Sequence, residues 1–140
     1  MMELSHGIFD EASVSVISVE TVREIGKVTG TAPDVRRFRP NVFVRLVDSA
    51  PFQEDGWLGG VLTFGEGECA PAVTVTMHDV RCSMVNLDPD SARVAPEMLR
   101  AVVRANRNNA GIYGAVTRIG QLAVGQTVFL REATEKPGRG

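Results

Sequence analysis

Small or polar residues alternate with branched apolar ones over residues 12–17, and this period-two pattern predicts a half-buried strand. A short helix is expected next. Ser18 or Thr21 caps it, Val19, Val22 and Ile25 share one face, and Gly26 suits the left-handed position just past its end. Residues 41–47 form a second strand rich in Val, Phe and Leu, opened by Pro40 and expected to lie in the core. A loop over residues 51–60 carries a buried Trp57. The strand at residues 61–64 turns back through Gly65-Glu66-Gly67-Glu68 into a partner at residues 72–77, as a hairpin. Residues 84–87 lead into a turn at Asp88-Pro89-Asp90. The clearest helix follows, with Pro96 at its first position, Glu97 in its first turn, a Leu99, Val102 and Val103 stripe, and a stop at residues 106–109. Two last strands, residues 112–117 and 121–129, flank Ile119-Gly120, and residues 133–140 read as a disordered tail.

Many short strands with turns every roughly eight to twelve residues, and one substantial helix, predict a mainly β fold built as a closed or nearly closed barrel rather than alternating βαβ units. The 140-residue length fits one domain, expected over residues 1–132. No apolar run approaches the ~18 to 20 residues needed to cross a bilayer, so no membrane association is expected. The first ten residues carry Glu3, His6 and Asp10 in place of a basic, apolar leader, which points to the cytoplasm.

Two features of composition sharpen this picture. The only cysteines, Cys69 and Cys82, are too few for a disulfide framework and lack zinc-site spacing, so both are expected as free thiols. The net charge of −2 hides a bias: 13 of the 15 basic residues are arginine, whose planar fork suits phosphate and carboxylate. Three arginines fall in Arg36-Arg37-Phe38-Arg39, just ahead of the residue 41–47 strand. A solvated basic loop is the ordinary reading of such a cluster, and a phosphate-bearing cofactor the functional one. An acidic chain with one aromatic in the cluster is not expected to bind nucleic acid.

The second constellation is Arg81-Cys82. A cation next to a thiol favours the thiolate, the form that attacks or ligates metal, whereas a lone cysteine is more often a small buried apolar residue. Asp88, Asp90, Glu54 and Asp55 place carboxylates in loops, as ordinary turn chemistry does. The sequence contains no nucleophile elbow, phosphate loop or dinucleotide fingerprint, and Gly65-Glu66-Gly67 precedes a strand, so it is read as a turn.

Taken in order, Arg37-Phe38-Arg39-Pro40-Asn41, then Pro51-Phe52-x-Glu54-Asp55-x-Trp57, then Arg81-Cys82-x-Met84-x-x-Leu87-Asp88-Pro89-Asp90, then Gly111-Ile112-Tyr113 and a closing strand pair, the chain resembles the MOSC domain, the molybdenum-cofactor sulfurase C-terminal domain. The resemblance implies a β-barrel similar to that of pyruvate kinase, with one or two helices. It implies binding of the molybdenum cofactor (molybdopterin), and a relationship to reductases of N-hydroxylated compounds. Carried over by motif, Cys82 is the molybdenum ligand and catalytic residue; Arg37, Arg39, Asn41 and Arg81 contact the cofactor, and Asp88 shapes the loop at the metal.

The chain departs from the family pattern at Val85-Asn86, where a Thr-Thr pair is usual, and at Gln126, where an acidic residue is common. Members that bind the cofactor usually carry further β structure, often a separate N-terminal barrel, ahead of the region where this chain begins. A homodimer or a separate polypeptide is expected to supply that cover. Electrons are expected from a haem or flavin partner. Two other readings stay open: a non-catalytic sulfur-carrier or pterin-binding module, and a truncated relative that has lost the cofactor.

Overall fold

The computed structural model describes residues 13–30, 34–48 and 50–132; the expected tail at 133–140 lies outside them. Six strands, β1 (Ser13–Ser18), β2 (Val42–Val44), β3 (Val61–Phe64), β4 (Ala72–Val80), β5 (Asn109–Arg118) and β6 (Val128–Arg131), form a mixed sheet in the order β2-β1-β5-β4-β3-β6. Two α-helices, α1 (Val19–Thr29) and α2 (Glu97–Asn106), complete a mainly β, barrel-like architecture of the class the sequence predicts. The chain clusters into two compact units. One holds Trp57–Met77 with the chain from Tyr113 onward, and the other holds Ser15–Gly56 and His78–Ile112.

In the unit of Ser15–Gly56 and His78–Ile112, the core gathers Ile17 from β1, Val22 and Ile25 from α1, Phe38, Val85, and Met98, Ala101 and Val102 from α2. Ser18 caps α1, its hydroxyl accepting the Thr21 N–H at 3.0 Å. The helix runs past Gly26 to Thr29, because Gly30 supplies the left-handed residue (φ 84°) and gives its N–H to the Gly26 carbonyl. Pro96 stands just ahead of Glu97 at the start of α2, its backbone already helical and without a side-chain capping bond. The buried stripe is Met98, Ala101 and Val102, with Val103 half exposed, so the sequence pattern is displaced around the helix by one position. Ser83–Asn86 form a 3-10 turn, after which extended Leu87 bridges Val94.

The strand expected over 41–47 is only three residues long and ends the sheet order. β2 runs parallel to β1 (Val16 against Val42, Ser18 against Val44) and leaves Phe43 exposed. It stops because the chain turns to give the Leu46 N–H to the carboxylate of buried Glu20, at 3.1 Å. Gly111, in the motif that carries the family resemblance, has a structural reason to be glycine. Its φ is +94°, and an added Cβ would lie 2.8 Å from the Val16 carbonyl of β1.

In the unit of Trp57–Met77 and the chain from Tyr113, the β3–β4 hairpin forms as expected, Thr63 opposite Ala72. Its buried side chains are Leu62, Phe64, Ala70, Ala72, Val73 and Val75, while Trp57 is half-buried. The final strand is not residues 121–129. Residues 121–127 are exposed connection, and β6 begins at Val128, antiparallel to β3. Among the described residues no helix is long and apolar enough to cross a membrane.

Candidate cofactor site

The expected site residues all lie in the unit of Ser15–Gly56 and His78–Ile112: Arg37 on the 3-10 turn Val35–Phe38, Arg39 and Asn41 just after it, Arg81 and Cys82 just before the turn Ser83–Asn86, and Asp88 in the loop that follows it. Asp34 starts the first turn by accepting the Arg36 N–H at 2.9 Å, and Phe38, 1% exposed, fixes it to the core. With Phe38 inward, Arg36 and Arg39 are left exposed while Arg37 is largely covered. Arg39 closes the turn in the left-handed conformation (φ 52°), its N–H bound to the Arg36 carbonyl.

These three arginines are not equivalent. Arg36 lies between two carboxylates: it bonds Asp34 and takes both oxygens of Asp90, at 3.1 and 3.0 Å. These bonds hold the Arg36 proton more tightly than usual and keep the Asp34 carboxyl below its ordinary range. Arg37 is nearly buried; it donates to the Val85 carbonyl at 3.2 Å and stands 3.8 Å from Asp88. Arg39 is exposed, and among the described residues its guanidinium has no partner. Of the arginine cluster, Arg39 is the charge left uncommitted.

Asn41 serves β1 through one end of its amide: its Oδ1 accepts the Ser15 N–H at 2.8 Å. The buried Ser15 hydroxyl also lies 3.3 Å from the Arg39 carbonyl, so Ser15 fixes the backbone on which both Arg39 and Asn41 are mounted. Asp88 organises the following loop, its Oδ1 accepting the N–H groups of Asp90 (2.9 Å) and Ser91 (3.0 Å). Those donors hold its carboxyl below the usual range.

Cys82 is exposed and free, and it opens the turn Ser83–Asn86. Its carbonyl accepts the Val85 N–H, and the Val85 carbonyl in turn accepts Arg37, so one short chain of bonds ties the Cys82 turn to the arginine turn. Arg81, the cation next to the thiol in sequence, is held by several partners. Its side chain, 9% exposed, turns inward and pairs with buried Asp79 at 2.8 Å. It also donates to the carbonyls of Ala110 (2.9 Å) and Phe38 (2.7 Å) and lies over the Phe38 ring.

The sequence patterns do not bring out Asp79 or Ser15, and they mark Glu54 only as a loop carboxylate in a motif. Asp79 and Arg81 are two apart around the end of β4, so they share a side while Val80 between them is exposed; that spacing was a readable signal. Glu54 is fully buried, its carboxylate accepting the Ser18 N–H (2.8 Å) and the hydroxyls of Ser18 and Thr21 (3.1 and 3.0 Å). Burial raises its carboxyl above the ordinary value.

Among the described residues no group of three His, Cys, Asp or Glu side chains is placed to hold a metal alone. A metal at Cys82 therefore needs ligands brought by its own cofactor. The donor set fits such a group: a soft, exposed thiol for the metal, and for a phosphate one uncommitted guanidinium on an anchored backbone.

The model of the MOSC domain matches residues 3–129. No curated protein matches the chain. Among solved structures, the YuaD protein from Bacillus subtilis is similar, with 20% identity and a TM-score of 0.67. That match covers 86% of this chain and 64% of YuaD, so the chain spans a little under two thirds of that protein's length.

Proposed function

Because the chain belongs to the MOSC domain family, we propose that it binds the molybdenum cofactor, with the Cys82 thiolate as the protein's ligand to molybdenum and Arg37, Arg39 and Asn41 at the phosphate of the pterin. The observation that supports this most is the bond from Arg37 to the Val85 carbonyl, which ties the Cys82 turn to the arginine turn. When bound, the cofactor supplies a two-electron redox centre of the kind that reduces N-hydroxylated compounds. The chain's own contribution is positional. Arg39 offers an unpaired fork, and Asn41 keeps its amide NH2 for the same anion while its oxygen bonds β1. Cys82 would ligate as the thiolate, the form that binds a soft metal. Exposure of the thiol leaves room for substrate and for a separate haem or flavin protein. The same exposure favours a second reading, in which Cys82 carries sulfur as a persulfide.

Loading purified chain with isolated cofactor, followed by gel filtration, tests the phosphate anchor. The wild type is expected to retain pterin, and Arg39→Ala to bind at least tenfold more weakly with unchanged thermal stability, since the side chain is exposed and has no partner among the described residues. Equal retention by Arg39→Ala, or no pterin on the wild type, contradicts the proposed anchor.

A further inference from the structure

Outside the cofactor site, an open cleft of about 600 Å³ lies in the unit of Trp57–Met77 and the chain from Tyr113, a volume within the usual range for small-molecule sites. The cross-strand pair Thr63 and Phe129 and the side chain of Arg131 contribute β3 and β6, Arg118 comes from the end of β5, and Glu66 and Glu68 stand on the turn between β3 and β4. Gly65 and Gly67, with φ of +104° and +103°, give that turn a backbone that side chains rarely tolerate, and so set where its two glutamates project.

The charges lining the cleft are not used on one another. Arg118 is held in place by donating to the Ala70 carbonyl. Among the described residues Arg131, Glu66 and Glu68 have no ion-pair partner. Two cations and two anions share one cleft with a half-exposed phenyl ring, Phe129 at 42%. A simple anion is repelled by the glutamates and a simple cation by the arginines. A ligand carrying both charges satisfies both sets, and an apolar group between them lies against the ring.

We propose that this cleft binds a zwitterionic ligand of the amino-acid or dipeptide class, its carboxylate at Arg118 and Arg131, its ammonium at Glu66 and Glu68, and an apolar side chain on Phe129. This reading is independent of cofactor binding at Cys82.

Calorimetric titration of the full chain with L-phenylalanine, the dipeptide Phe-Phe, N-acetylphenylalanine and phenylalaninamide tests it. At least one of the two zwitterions is expected to bind, and the acetylated and amidated forms to bind at least tenfold more weakly, each having lost one charge. Arg131→Gln and Glu68→Gln, both on exposed side chains, are each expected to lower affinity about tenfold while leaving the circular dichroism spectrum unchanged. Binding of neither zwitterion, equal binding of a blocked form, or full affinity in both variants overturns the proposal.

Discussion

Replacing Arg81 by methionine is expected to destabilise the protein by about 3–5 kcal/mol, the usual cost of leaving one member of a buried ion pair without its partner. The Asp79 carboxylate would remain inside with no cation, and the Phe38 and Ala110 carbonyls would each lose a donor. Urea unfolding followed by tryptophan fluorescence measures the shift in midpoint. The double variant Asp79→Asn with Arg81→Met is expected to recover part of the loss, because the stranded charge is gone. A shift below about 1 kcal/mol for the single variant would place this pair among weak surface pairs. The placement of the turn opened by Cys82 depends on this interaction indirectly. Arg81 fixes Phe38, Phe38 fixes the turn that carries Arg37, and Arg37 holds the turn opened by Cys82.

Glu54→Ala is expected to cost about 3 kcal/mol, since the Ser18 N–H and two hydroxyls would be left buried without their acceptor, each at roughly 1–3 kcal/mol and not additively. Glu54→Gln should lose much less. The amide can turn its oxygen to the Ser18 N–H and donate its NH2 to the hydroxyls. The wild-type carboxyl also makes stability depend on pH. Its folded pKa is raised above the unfolded value of 4.5, so between those two values the folded state holds a proton that the unfolded chain has released. The contribution is therefore complete below pH 4.5 and is lost as pH rises through the folded value. Denaturation profiles of wild type and Glu54→Gln at a series of pH values above 4.5 should converge at the acid end and separate toward neutrality. Parallel profiles would contradict a raised Glu54.

Where local chemistry decided the outcome, the sequence was legible. The Ser18 cap, the β3–β4 hairpin and the stop of α2 all depend on residues that act within a turn or two of themselves. Errors arose where a distant partner decides. Apolar residues at 42–47 suggested a core strand, but β2 pairs through only three residues and ends where Glu20, 26 positions earlier, takes the Leu46 N–H. The last strand was placed too early because Leu122 and Val124 look like strand residues; both are exposed, and pairing with β3 begins only at Val128.

The site shows the same division. Motif order brought out Arg37, Arg39, Asn41, Cys82 and Asp88, and the fold sets them on two adjoining turns and the loop that follows. Sequence could not reveal how the arginines divide their work. Adjacency sets Arg81 beside the thiol in sequence and does not reveal that its guanidinium pairs with buried Asp79. Arg36 is already paired with Asp34 and Asp90.

The most direct test is the molybdenum content of protein purified from a molybdate-sufficient host. Near-stoichiometric molybdenum is expected in the wild type and in Cys69→Ser, with loss of most of it in Cys82→Ser. Wild-type protein free of molybdenum but carrying sulfane sulfur on Cys82, or equal molybdenum in Cys82→Ser, would contradict ligation by Cys82.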